Sequence, residues 1–281
     1  MSGKSKSQRS KDQARQRADA AAAKRGDDAV EETPPPKKSS WLPDMPEDRP
    51  TPRAVEKGAV LVAEELAKDY GDGRGLQGLD LVVQPGEVVM LVGPNGAGKS
   101  TFLGCCSGLV EPTDGAAWLG GHLAGSIEAR GATSYIPDSP VLYEDLSVWE
   151  HLEYLARLHA TQDWVDYAED LLDMFNLAHR ADELPTKFSR GLKQKTALIV
   201  GLIRPFSVLL IDEPFAGLDV PGQETLVEVI GDLAEQGASI ICSTHQLDLL
   251  AVATRLVGLQ DGLLAFDGKP SEQQIRELVG G

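Results

Sequence analysis

Long hydrophobic runs are missing from this sequence. No apolar stretch approaches the ~18–20 residues that cross a bilayer, and the first residues lack the apolar core of a secretory signal. The chain is therefore expected to be soluble and cytosolic. Cysteine is scarce: Cys105 and Cys106 are adjacent and Cys242 stands alone. That pattern excludes both a disulfide framework and zinc-ligand spacing, and reads as small buried residues in a reducing compartment. Positive charge is also short, with a net charge of −16. A general nucleic-acid binder rests on a basic footprint, so no nucleic-acid partner is expected. Internal repeats are absent too.

The acidic excess is unevenly spread. Residues 1–57 are net-positive, rich in Lys, Arg, Gln, Ser, Ala and Pro, and nearly free of bulky apolar side chains before Trp41. Such a segment cannot bury enough surface to fold alone, and "TPPPKKSS" reads as an extended linker. Two sharper readings compete with a solvated tail. The basic start could form a helix on anionic lipid or RNA, or "SSWLPDMP" could dock a partner through Trp41.

From Ala59 onward strands and helices alternate. "AVLVAEEL", "LDLVV" and "EVVMLV" read as strands, and "SVLLIDEP" and "ASIICSTH" as buried parallel ones. "SVWEHLEYLARLHA" opens with the capping box Ser147-x-x-Glu150. "WVDYAEDLLDMF" and "GLKQKTALIVGLI" are further helices, Pro221 is expected at the first position of another, and Asp261-Gly262 turns a hairpin.

Between the strand Val88–Val92 and the helical segment that follows lies "GPNGAGKST", residues 93–101. Gly93, Gly98, Lys99 and Ser100 fit G-x-x-x-x-G-K-[ST] in the strand–loop–helix setting that pattern requires. The bland alternative is a Gly-rich turn, which that setting disfavours. Gly93, Gly96 and Gly98 can take backbone angles closed to other residues, so successive N–H groups can form an anion nest. The helix starting near Lys99 adds its N-terminal dipole. Lys99 offers a point charge to β- and γ-phosphates, and Ser100 a hydroxyl to Mg²⁺. The ligand is a nucleoside triphosphate with Mg²⁺. "LLIDEP" sets Asp212 and Glu213 at the carboxyl end of a buried strand, where open α/β sheets bind ligands. Asp212 suits the metal and Glu213 suits polarising a water. His245 ends a second buried strand at the same edge and is expected to contact phosphate.

These ordered motifs resemble the nucleotide-binding subunit of an ATP-binding cassette (ABC) transporter, over roughly Leu61 to the C-terminus. The resemblance implies a P-loop NTPase-type α/β core of mostly parallel sheet, with an antiparallel β part and a helical subdomain at about 138–192. The ATPase domain would span 58–281, after a disordered segment 1–57. By that resemblance Tyr70 in "KDYG" stacks on adenine, which makes the nucleotide ATP. Gly93, Pro94, Asn95, Gly96, Ala97, Gly98, Lys99, Ser100 and Thr101 form the Walker A loop. Asp212 and Ser100 hold Mg²⁺, Glu213 is the general base, and His245 contacts the γ-phosphate.

Two segments depart from the family pattern. The signature, usually Leu-Ser-Gly-Gly-Gln, reads "FSRGL". Ser189 and Gly191 are kept and would reach ATP on an opposite subunit, Arg190 replaces a glycine, and Leu192 replaces the glutamine. "FSRGLKQK" resembles an exporter-like branch. In "YIPDSP", Asp138 stands where the family has glutamine, and is expected on the metal side of the site. Asp219 in "AGLD" would cross to the partner.

The function so implied is ATP binding and hydrolysis by a dimer of ATPase subunits, driving a separate integral membrane permease from the inner face of the cell membrane. Tyr143 and Trp149 on the helical insertion would contact that permease. A non-transport cassette ATPase acting on DNA or ribosomes is the alternative; such chains usually carry two cassettes or long coiled-coil insertions. A nucleotide kinase or GTPase gives no reason for "FSRGL", "IDEP" and "STH" to occur together.

Overall fold

A computed structural model of the chain describes residues 58–71 and 74–279. The tail, its linker and the Trp41 segment lie outside the described residues.

Two sheets organise the described part. The first is antiparallel, with strand order β2-β1-β4-β5: β1 (Leu61–Asp69), β2 (Gly75–Val83), β4 (Asp114–Leu119) and β5 (His122–Leu123). The second has order β10-β9-β3-β8-β7-β6: β3 (Val88–Val92), β6 (Thr133–Ile136), β7 (Val208–Asp212), β8 (Ser239–Ser243), β9 (Arg255–Gln260) and β10 (Leu263–Gly268). Its strands run parallel except β10, which returns from β9 through the expected hairpin. Asp261 and Gly262 both take positive φ there, 51° and 77°, as a tight two-residue turn demands.

All five residues of β3, of β7 and of β8 are buried. Strands covered on both faces read as unbroken apolar runs because no side can be polar. Each fully buried Val, Leu or Ile there contributes about 1.5–3 kcal/mol of transfer free energy. Register matters more for function. Asp212 of β7 pairs with Ser243 of β8, and Ser243 with Leu91 of β3. The carboxyl ends of these three strands therefore finish level, and whatever follows each strand emerges at one edge.

Seven α-helices and three short 3-10 segments complete the described residues, the α-helices being α1 (Lys99–Ser107), α2 (Ile127–Ala132), α3 (Val148–Leu158), α4 (Trp164–Met174), α5 (Arg190–Leu202), α6 (Val220–Glu235) and α7 (Glu272–Val279). Between Ile136 and Val208 the chain is helical or irregular, without a strand. The capping box of α3 forms as expected: Glu150 N–H donates to Ser147 Oγ, and Ser147 N–H to Glu150 Oε2 at 2.8 Å. Helix α6 corrects a detail, because Asp219 is its N-cap, Val220 its first residue and Pro221 its second. Proline fits there equally well, since the N–H it lacks is one of those with no intrahelical partner.

Candidate nucleotide site

The phosphate-type loop follows β3 and is fixed from beneath. Ala97 N–H donates to Pro94 O at 3.1 Å, and Gly262 N–H to Ala97 O at 3.1 Å, tying the loop to the β9–β10 turn. Gly98 caps α1 with φ of 103°. A Cβ there would sit 2.9 Å from Leu76 Cδ2 and 3.0 Å from Gly75 O. Position 98 thus needs glycine both for its backbone angle and for space. The Lys99 ammonium donates to Gly93 O at 2.7 Å and Pro94 O at 3.3 Å, and stands 3.9 Å from Glu213 Oε1. Its charge is held over the centre of the loop.

Asp212 ends β7 with only 3% of its surface exposed. Ser243 Oγ donates to its Oδ1. A carboxylate this buried needs more than one hydroxyl to offset its lost hydration, and the donor set suits a hard cation. Among the described residues no three His, Cys, Asp or Glu side chains are grouped to cage a metal. Mg²⁺ takes one or two protein oxygens and the rest from phosphate and water, a number that the Asp212 carboxylate and the Ser100 hydroxyl can supply.

Glu213 comes next and adopts the left-handed region at φ 44°. Its N–H is held by Ser243 O and Oγ, both at 3.0 Å. A non-glycine residue in this region costs on the order of 1 kcal/mol or more, and such strain gathers where geometry serves function. The turn aims the carboxylate into the cleft. Burial raises its pKa; His245 and Lys99 oppose that rise, while Asp212 and Asp138 add to it. His245 lies two residues beyond the end of β8 rather than on it, and its Nδ1 is 3.3 Å from Glu213 Oε2.

These groups line one open cleft of about 690 Å³. Tyr70, Asn95, Gly96, Gly98, Lys99, Ser100, Thr101, Asp138, Glu213 and His245 all face it. Gly93, Pro94, Ala97 and the buried Asp212 do not line it. Tyr70 sits at the rim, half-exposed, with the Lys68 ammonium 5.5 Å from its ring centre.

A polyanion loop, a buried carboxylate and a strained second carboxylate at one sheet edge are the parts of a nucleoside-triphosphate hydrolase. The family model described as "ABC transporter" matches residues 76–216. The chain belongs to the ABC transporter ATP-binding family. It is 33% identical to the SkfA peptide export ATP-binding protein SkfE of Bacillus subtilis, over 74% of this chain and 88% of that one. It is 34% identical to the phosphonates import ATP-binding protein PhnC 2 of a Synechococcus strain, over 79% and 90%. A solved structure of an ATP-binding subunit of an ABC transporter superposes with a TM-score of 0.71 at 34% identity, over 78% of this chain and 92% of that one. A nucleotide-free cassette at 19% identity and TM-score 0.65 shares the fold. The cassette is accordingly an ATP-binding and ATP-hydrolysing subunit that powers a membrane transporter.

Seven of the site residues named from the sequence do not line the cleft: Gly93, Pro94, Ala97 and Asp212 lie close to lining residues in the chain, and Ser189, Gly191 and Asp219 sit elsewhere. Ser189 caps α5, accepting from Leu192 N–H at 3.4 Å, and Gly191 packs against Gly217 O. Asp219 takes a 2.7 Å ion pair from Lys195 of α5, which lowers its pKa. All three gather where α5 meets the turn before α6. Conversely, sequence reasoning missed Arg74, Gly75 and Ala216, which line the cleft. Ala216 was legible as a neighbour of "IDEP"; the other two depend on how β2 meets the hairpin. Among the described residues no helix is long and apolar enough to cross a membrane.

Proposed function

We propose that the cassette hydrolyses Mg²⁺-ATP as a pair of subunits, with the phosphate edge of one chain completed by the α5 N-terminus of another copy. The observation that carries this is the level ending of β3, β7 and β8, which brings Lys99, Glu213 and His245 to one cleft, next to the buried Asp212, while Ser189 and Gly191 stay outside it. ATP stacks its base on Tyr70 and lays its phosphates along Gly93 to Thr101. Ser100 and Asp212 would supply oxygens to Mg²⁺, and Asp138 is a third candidate to hold it. The metal's chemistry is to neutralise charge building on the phosphates. Glu213 takes a proton from the attacking water, and His245 steadies both Glu213 and the γ-phosphate. Ser189, Gly191 and Asp219 act across the pair.

The partner is an integral membrane permease, which would hold the cassette at the inner face of the cell membrane. The half-exposed Tyr143, stacked edge-on with Tyr154, offers a contact for it. Trp149 is buried against Trp164 and braces the helices instead. Export is the proposed direction. Relatives named for export and for import match at similar identity, so the preference rests on "FSRGL" and the segment around Asp138.

Glu213→Gln tests the base. The amide keeps the shape and cannot accept the proton, so turnover should fall by about 10²–10⁴ while ATP binding persists. Because the Glu213 pKa is raised, ionising it needs a higher pH than an ordinary carboxylate does. The acid limb of wild-type turnover should therefore lie above the usual carboxylate range, and vanish from the residual activity of the variant. Unchanged turnover would overturn the assignment.

A further inference from the structure

We propose that Arg190 is a positioning residue for the nucleotide cleft, acting as the dedicated countercharge of Asp138. The cleft has three carboxylates in or next to it, those of Asp138, Asp212 and Glu213. Asp212 has Ser243 and the proposed metal, and Glu213 has Lys99 and His245. Asp138 has Arg190, whose Nη2 lies 3.8 Å from its Oδ1.

The reach is directed by the fold. Arg190 is the first residue of α5, and its Cγ and Cδ lie against Gly217, where an added Cβ would stand 3.3–3.4 Å from them. The aliphatic stem is thereby laid along the turn that follows Glu213, and the guanidinium is delivered to the loop after β6. One side chain joins the α5 N-terminus, the 215–219 turn and the cleft wall. A lysine could also neutralise Asp138, as a point charge, because the proposed role is charge compensation rather than a bidentate fork.

The physical need is clear from the ligand class. The inference rests on the reading that a polyphosphate enters this cleft. An unneutralised carboxylate on the wall repels that chain, and a paired one does not. The two departures from the family's usual glutamine and glycine are then a single compensated change: the carboxylate is tolerated because the guanidinium is there. Both side chains are substantially exposed, so the effect is modest and sensitive to salt.

The test is a double-mutant cycle read by equilibrium ATP binding in EDTA, at protein concentrations where the cassette is monomeric. Arg190→Gly should weaken binding about three- to fivefold, the range of an exposed pair. Asp138→Gln removes the charge that Arg190 offsets, so Arg190→Gly in that background should cost nothing further. Arg190→Lys should bind ATP as wild type does, and the Arg190→Gly effect should shrink in ~0.5 M salt as the charges are screened. If Arg190→Gly has the same effect in both backgrounds, or none in either, the pairing is wrong. Lys99→Ala separates the two levels of the argument. Loss of ATP binding in that variant leaves the cleft reading intact whatever the cycle gives, and normal binding in it removes the ground for both.

Discussion

The sheet edge and the α5 junction hold equally important residues by opposite means. At the edge, Lys99, Asp212 and Glu213 follow or end fully buried parallel strands, and their positions are set by hydrogen-bond register and core packing. At the junction, Ser189, Arg190 and Asp219 are exposed, and a long cap bond plus two ion pairs hold them. The difference separates a chemical centre set by core packing from a helix N-terminus whose exposed polar contacts are individually weak. Exposed ion pairs contribute about 0–1 kcal/mol each, whereas moving β7 within the core would forfeit several buried side chains.

Gly191→Ala should break the comparison most visibly. Its Cβ would stand 2.5 Å from Gly217 O, so α5 must move away from the turn, carrying Ser189 with it. We expect turnover to fall by up to about 10²-fold, the cost a ~1 Å misplacement can carry, while ATP binding by the isolated chain stays near wild type. Loss of ATP binding would mean that edge and junction are one rigid unit. Ser147→Ala gives a smaller effect at the other end of the helical segment. It removes an N-cap worth about 1 kcal/mol, which should lower the thermal midpoint by a few degrees without changing binding or turnover per folded molecule. A change in turnover would show that α3 sets the cleft.

Legibility from sequence follows the same divide. "VVMLV", "VLLID" and "SIICS" announce themselves because a strand buried on both faces must be apolar throughout, and each ends in residues whose chemistry needs that edge. The capping box at Ser147 was readable because both halves lie within four residues. Strands β4 and β6 gave no comparable signal. "DGAAWL" mixes small residues with Trp118, which packs in a separate cluster with Ala59, Val62 and Ala116, and "TSYI" is four residues long. Arg74 and Gly75 line the cleft at the start of β2, where Gln77 bonds to the β9–β10 turn, a contact between distant parts of the chain. The Arg190–Asp138 pair was hidden for the same reason: each residue was visible as a departure from the family pattern, and only the fold shows them together.

The central claim is that one chain carries half of each site, a chemical edge and a separate signature segment that serves a second copy. Mixing two defective variants tests it most directly. Lys99→Ala loses the edge and keeps Ser189; Ser189→Arg blocks the signature and keeps the edge. Each alone should be almost inactive. Mixed in equal amounts, half of the dimers pair one of each and hold one complete site, so turnover should return to about a quarter of the wild-type rate. No recovery on mixing, with each variant folded and Ser189→Arg still binding ATP, would contradict the division of the site between two copies of this chain.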